Sequence, residues 1–274
     1  MFTVKPFRIM LVLLLLALMS VGLVQAQDSA GEPLVLADFE EETLFLAKDS
    51  NGLDIGFVPW GDSAGNVTLA LVAAEGDLAL PDQEGANQVL QATYNINAYG
   101  GFTHALTDGT EWTAQDWTAY STLDFWLYGA ETGAQIQVEI FDNRAPGATS
   151  DSAERWYYRV SDDFTGWQWF SIPFAAFQRR TDWQPSGAPS DGLGLTEVHG
   201  YAFTFPTGMG EHVSYIDDVA ISTGEGNVTP TGSGSETTTE DATTAESAGE
   251  PIDLPEYDPE GEFTLVWSDD FDEA

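Results

Sequence analysis

Gln135-Ile136-Gln137-Val138-Glu139-Ile140 alternates polar and apolar side chains without a break. A period of two is that of a β-strand with one buried face and one wet face, and it does not fit the 3.6-residue turn of a helix. Shorter runs of the same character recur outward from it, at residues 34–40, 66–72, 88–94, 122–128, 155–160, 167–172, 201–205 and 213–221. Turn residues punctuate them, as in Asn51-Gly52, Glu84-Gly85, Gly100-Gly101 and the segment 185–194. No segment sustains a helical period. Many short strands at this spacing predict one all-β domain over residues 33–222, a β-sandwich of the jelly-roll kind.

Composition narrows the partners. The chain has 274 residues and a formal net charge of -37, from 8 Lys and Arg against 45 Asp and Glu. Such a charge argues against nucleic acid and anionic membrane, which would repel it. It suits neutral ligands and bound cations. Aromatic residues make up 12% of the chain, and 9 of them are Trp, so there is material for a core. There is no Cys, which rules out disulfides, thiolate metal sites and a cysteine nucleophile.

The two ends differ from the middle. Residues 1–26 read as a secretory signal peptide: Lys5 and Arg8 precede an apolar run, and Val24-Gln25-Ala26 offers a small-residue cleavage site. The run is short of the ~20 residues of a spanning helix. The mature chain is therefore expected to be secreted or on the exterior of the cell envelope, with no membrane attachment after cleavage. Residues 223–261 read as a flexible acidic linker of Thr, Ser, Gly and Pro, too poor in large apolar residues to order itself. Strand-like chemistry resumes at Phe263-Thr264-Leu265-Val266-Trp267, and residues 262–274 are expected to be the start of a second domain.

Cations mark the expected working surface. Apart from Lys48, every cation of the mature chain is an Arg between Arg144 and Arg180. Arg179-Arg180-Thr181-Asp182-Trp183 is the densest cluster, with Arg155-Trp156-Tyr157-Tyr158 on an earlier strand. A neutral sugar presents hydroxyls at its edge and C–H groups on its faces. Arg and Asp match the edge as directional donor and acceptor, and a flat ring matches the face. Arg180, Asp182 and Trp183 are therefore expected to bind carbohydrate. Trp156, Trp167 and Trp169 are expected to be sheet packing, since large aromatics in strands are usually buried. Arg179 is left open, because adjacent residues need not share a face.

Four further groupings have weaker claims. Asp38 and Glu40 lie two apart on a predicted first strand, and Asp217 and Asp218 lie in the last. First and last strands can be neighbours in a sandwich, and oxygen ligands gathered there suit a structural Ca²⁺. Carboxylate pairs such as Glu139 with Asp142, or Asp151 with Glu154, could serve glycoside hydrolysis only if they face each other across a cleft. In so acidic a chain such pairs are background. His104, His199 and His212 are isolated and read as structural or surface residues. Asn66-Val67-Thr68 and Asn227-Val228-Thr229 are sequons.

Three blocks together resemble the family 11 carbohydrate-binding modules: Glu154-Arg155-Trp156-Tyr157-Tyr158, Trp167-Gln168-Trp169-Phe170-Ser171-Ile172-Pro173-Phe174, and Phe177-Gln178-Arg179-Arg180-Thr181-Asp182-Trp183-Gln184-Pro185. Asp38-Phe39-Glu40 and Ile216-Asp217-Asp218-Val219 are similar to that family's first and last strands. The resemblance implies a galactose-binding-like jelly roll that binds β-1,4 or mixed β-1,3-1,4 glucan chains in a concave cleft and carries structural calcium. It implies sugar-contacting roles for Arg180 and Asp182, a stacking role for Trp183, and cleft positions for Tyr99, Phe205 and Asp151. A further cleft tyrosine of the family aligns with Ser63. Calcium is carried over to Glu40 and Asp217, with Asp38 beside them. Residues 265–272 resemble the opening of a glycoside hydrolase family 16 domain, whose catalytic motif is absent here.

The sequence thus predicts a monomeric, non-catalytic β-glucan-binding module that targets an attached hydrolase, a β-glucanase, to polysaccharide. Two rival readings are a protein-interaction domain on the same fold and a glucan hydrolase within residues 33–222.

Overall fold

The alternating stretch at 135–140 becomes an inner strand of a seven-stranded sheet. The computed structural model describes residues 31–144 and 148–228. The expected signal peptide, the linker from residue 229 onward and the expected second-domain start at 262–274 lie outside the described residues. Among the described residues, thirteen strands pair in two sheets and no α-helix occurs. The back sheet runs in the order β10 (Thr165–Pro173), β7 (Thr122–Ala130), β13 (His212–Ser222), β5 (Gln88–Tyr94), β4 (Val67–Ala73). β1 (Leu34–Ala37) also pairs with β13. The front sheet runs β11 (Gln178–Arg179), β9 (Glu154–Ser161), β8 (Gln135–Asp142), β12 (Val198–Thr204), β6 (Gly100–Ala105), β3 (Asp54–Gly61), β2 (Leu46–Lys48). The all-β sandwich expected from the sequence is the fold observed.

The core fills the space between the sheets with every second side chain of each inner strand. Ile136, Val138 and Ile140 come from β8, Tyr201 and Phe203 from β12, and Leu123, Phe125 and Leu127 from β7. Phe125 meets Phe203 edge to face, with ring centroids 5.0 Å apart, and so joins the two sheets. Each such side chain contributes ~1.5–3 kcal/mol on burial. The outer face of β8 departs from expectation. It is not wet: Gln137 is half-buried, and Glu139 and Phe141 are buried. Loops and a neighbouring Arg close over it, which the local alternation could not reveal.

All nine predicted strands form, and four more were unpredicted: β2, β3, β6 and β11. β3 contains Gly56, Pro59 and Gly61, and β6 opens with Gly100-Gly101. These residues read locally as turn signals. At Gly101 a Cβ would collide with the Phe203 backbone carbonyl, and at Gly200 with that of His104. The glycines thus serve close strand approach in the centre of the front sheet. The burial expected for the strand tryptophans holds only in part: Trp156 is half-buried against the core, whereas Trp167 and Trp169 alternate with buried Phe170 and so lie half-buried on the outer face of the back sheet. There Trp169 meets Trp126 edge to face, with ring centroids 5.4 Å apart, and Trp167 meets Tyr128 in the same way at 5.4 Å. Ordered packing continues past Ser222: Asn227 exchanges hydrogen bonds with the Ser171 backbone, and Val228 packs on the core. The amide nitrogens of both sequons are engaged, Asn66 with Asp62 and Asn227 with the Trp169 carbonyl.

Candidate functional site

Strand register sets out the outer face of the front sheet as rows running across the strands. One row is Trp60, Gly101, Thr204, Gln137 and Arg159. The next is Val58, Thr103, Ala202, Glu139 and Tyr157. A third is Gly56, Ala105, Gly200, Phe141 and Arg155. The central strands β6 and β12 carry only Gly, Ala and Thr on this face, while the strands on either side carry large residues. The surface is therefore concave. The resulting cleft has a volume of about 600 Å³ and is lined by Trp60, Tyr99, Glu139, Asp151, Arg180 and Trp183 among others.

The floor is polar and pre-bonded. Glu139 Oε1 accepts hydrogen bonds from Gln137 Nε2 (2.8 Å), Thr204 Oγ1 (2.7 Å) and Arg180 Nη1 (3.1 Å). Arg180 also holds Asp182 through Nε (3.1 Å) and Nη2 (2.7 Å). Burial opposes the Arg180 charge, but the hydrogen bonds and fields of Asp182 and Glu139 outweigh it and raise its pKa. The Arg180 hydrogen bond in turn holds the Asp182 carboxyl below the usual carboxylate range. Arg155 is buried, which lowers its pKa; its guanidinium lies 3.5 Å over the Phe141 ring and pairs with Asp151. The Trp183 ring is near both cations, 5.7 Å from Arg180 and 5.9 Å from Arg155.

Gln184 explains why this loop holds its shape. Its Oε1 accepts from the Arg155 N–H (2.8 Å), and its Nε2 donates to the carbonyls of Arg155 (2.9 Å) and Arg180 (3.0 Å). A side-chain amide thus continues the β9 ladder where β11 stops, and it presents Trp183 at 51% exposure. On the opposite wall, Asp62 plays the same part for Tyr99. Its Oδ2 accepts from the N–H groups of Asn97 and Ala98, and its N–H donates to the Tyr99 carbonyl at 2.9 Å.

The sequence-predicted residues separate cleanly. Arg180, Trp183, Tyr99 and Asp151 line the cleft, and Asp182 buttresses Arg180 from the rim. Phe205 is a correction: it is 2% exposed, stacked on Tyr94 at 4.4 Å inside the sandwich. Thr204 faces the cleft, so its neighbour must face the core. Ser63 sits in an exposed turn, and Trp60 supplies the ring on that side. Arg179 turns away from the cleft, to buried Glu154 and the Pro189 carbonyl. The candidate acid pairs are divided by the sheet. Glu139 faces the cleft while Asp142 is on the other face, as Asp151 is divided from Glu154. Both cleft carboxylates are held by arginines. His104 is packed on Phe57 at 4.1 Å, and burial lowers its pKa to about 4. Trp60, Thr103, Glu139 and Thr204 were not singled out as sugar contacts from sequence. The alternation through Gln137 and Glu139 was the one signal available for them.

The acidic corner lies elsewhere. β1 does pair with β13. β1 ends at Ala37, however, and Phe39 has φ 57°, so Asp38 and Glu40 follow the strand instead of projecting from it. Glu40 Oε1 accepts from the Gln88 N–H (2.7 Å), and Asp217 Oδ2 from the neighbouring Asn87 Nδ2 (2.8 Å). Asp217 is fully buried; burial, with Asp218 and Glu40 adding, pushes its pKa up to about 7. Burial and the fields of Asp38 and Glu40 raise that of Asp218. Among the described residues no ion pair reaches these four acids. Oxygen donors with unrelieved negative charge fit a hard cation. Among the described residues no group of three or more His, Cys, Asp or Glu side chains is drawn together to hold one. The fit is thus one of donor type and charge, centred on Glu40 and Asp217.

Comparison with known proteins decides the family. The model of the carbohydrate binding domain of family 11 matches residues 29–224. The chain belongs to that family. Its β-sandwich is like the family 11 module of the cellulosomal cellulase Lic26A-Cel5E of Clostridium thermocellum, with a TM-score of 0.51 at 19% identity, covering 70% of this chain and 95% of that one. It is equally like the solution structure of CtCBM11, with a TM-score of 0.51 at 19% identity over 72% of this chain and 98% of that one. Endoglucanase H of Acetivibrio thermocellus is 25% identical to this chain over 155 residues, 55% of this chain and 15% of the endoglucanase. The chain therefore spans a small part of that relative's length. Among the described residues of the family 11 domain, no helix is long and apolar enough to cross a membrane.

Proposed function

We propose that the front-sheet cleft binds a β-glucan chain, β-1,4 or mixed β-1,3-1,4, and that the domain targets an attached glycoside hydrolase to polysaccharide. The carrying observation is the cleft itself. Exposed rings of Trp183 and Tyr99 and the half-buried ring of Trp60 wall a floor of fixed donors and acceptors. Rings take sugar faces, and the Arg180–Asp182–Glu139 set takes sugar hydroxyls. The related endoglucanase acts, by its name, on glucans. Tethering raises the local concentration of a linked enzyme at its substrate. The attached hydrolase would be of family 16, whose opening residues 265–272 resemble, and the mature protein works outside the cell as a monomer.

Binding, not hydrolysis, suits the carboxylates of this cleft. Glu139 and Asp151 are each committed to an arginine, and neither is placed as a free acid opposite the other. Calorimetric titration with mixed-linkage glucan oligosaccharides tests the reading. Saturable heat without release of reducing ends is expected. Absence of heat with every β-glucan tried would overturn it, and reducing-end release would favour the hydrolase alternative.

Calcium is proposed at the acidic corner, held by Glu40 and Asp217 in the field of Asp38 and Asp218. When bound, it would neutralise carboxylates that are otherwise buried without a cation, and so tie β1 to β13.

A further inference from the structure

Two of the rows that build the cleft continue past its floor. They run on across β9 to Arg159 in one row and to Tyr157 in the next, with Gln178 of β11 opposite Tyr157. From Trp60 to Arg159 is four strand spacings, about 19 Å at ~4.8 Å each. Beyond the cleft wall, Tyr157, Arg159, Ala176 and Gln178 line a separate hollow of about 250 Å³.

The chemistry of this hollow repeats that of the cleft. Tyr157 is half-buried and Arg159 exposed, and the guanidinium lies 4.9 Å from the ring centroid. Gln137, which bonds the Glu139 floor at 2.8 Å, stands opposite Arg159 in the ladder and links the two regions. Arg155, Arg179 and Arg180 each have a carboxylate partner, whereas Arg159 is in no ion pair among the described residues. An exposed guanidinium without an acid, in a chain of net charge -37, keeps its donors for something else.

We propose that Tyr157 and Arg159, with Gln137 and Gln178 beside them, form an additional sugar subsite that takes the continuation of a glucan chain already seated in the cleft. The proposal rests on the carbohydrate-binding reading of that cleft and adds chain-length selectivity to it. Tyr157 offers a ring to a sugar face, and Arg159 offers a planar fork of donors to hydroxyls at its edge.

The experiment compares a β-glucan tetrasaccharide with an octasaccharide of the same linkage, by calorimetry, on the intact protein and on Tyr157→Ala, Arg159→Ala and Arg159→Lys. The intact protein is expected to bind the longer ligand about tenfold more tightly. Both alanine variants should lose that gain, bind the tetrasaccharide as before, and melt within a degree or two of the parent, the expected range for exposed substitutions. Arg159→Lys should recover only part of the gain, because lysine lacks the fork. Equal affinity for both lengths, or alanine variants that keep the gain, would overturn the subsite and leave the cleft reading intact. Failure of the intact protein to bind either ligand would overturn the cleft reading itself.

Discussion

Arg180 Nη1 stands 3.1 Å from Glu139 Oε1, joining a loop outside the sheet to a carboxylate that is 2% exposed on the sheet's own face. The same guanidinium holds Asp182, whose side chain is 68% exposed. One arginine thus spans two environments, and its two partners are expected to respond differently to substitution. Removing one member of a buried pair costs ~3–5 kcal/mol, whereas an exposed pair contributes ~0–1 kcal/mol.

Glu139→Ala should therefore lower the melting temperature by roughly 6–20 °C at ~2–4 °C per kcal/mol for a domain of this size, and weaken glucan binding with it. Asp182→Asn should weaken binding while moving the melting temperature by at most a few degrees. Scanning calorimetry with ligand titration checks both. A Glu139→Ala protein as stable as the parent would refute the buried-pair account.

Trp183 is half-exposed and has no part in the core, so Trp183→Ala should leave stability almost unchanged. Loss of a central aromatic contact should weaken oligosaccharide binding at least tenfold, about 1.4 kcal/mol. Quenching of tryptophan fluorescence on sugar addition should fall in the variant.

Phe205 and Tyr99 should behave as opposites. Phe205→Ala removes a buried ring stacked on Tyr94, at a cost of ~3–5 kcal/mol. Any loss of binding should follow unfolding and disappear at low temperature. Tyr99→Ala, at a site 57% exposed, should weaken binding at every temperature with little change in melting. Affinity measured on the two variants at 10–40 °C separates the roles.

Asp142 supplies a pH dependence. Burial, with Glu154 and Asp191 nearby, pushes its pKa up to about 7 in the fold, against ~3.9 unfolded. The folded state then binds more protons between those values, so this group makes stability fall as pH rises from ~4 to ~7 and level off above. His104 and His199, lowered to about 4 by burial, act in the opposite sense up to ~6.5. Asp142→Asn should remove the falling component, so that its melting temperature gains on the parent as pH increases from 4 to 7. Parallel curves would contradict the assignment.

Chelation should lower the melting temperature if calcium occupies the acidic corner. A ligand at a hundredfold its Kd stabilises by ~2.7 kcal/mol, or roughly 5–11 °C here. Asp217→Asn should abolish the response. Identical melting with calcium and with chelator would remove calcium from the account.

Half of the site was legible before folding. The Arg180–Asp182–Trp183 segment combines unlike residues in a short stretch, and its chemistry does not depend on what lies opposite. Trp60 and Thr103 were not legible, because they sit on β3 and β6, whose glycines and proline imitate turns. Phe205 was misplaced by one residue, and in a strand one residue exchanges the solvent face for the core.

The alternation at 135–140 and its repeats were enough to specify a sandwich, since a period of two is a local property and burial of one face follows from it. The cleft is a different kind of fact. Its rows from Trp60 to Arg159 exist only through the register of five strands distant in sequence, and its concavity only because Gly101, Ala202 and Thr204 meet in the middle. Register is set by long-range pairing and core packing, so the face that reads as solvent-exposed in sequence becomes a buried, arginine-covered floor in the folded protein.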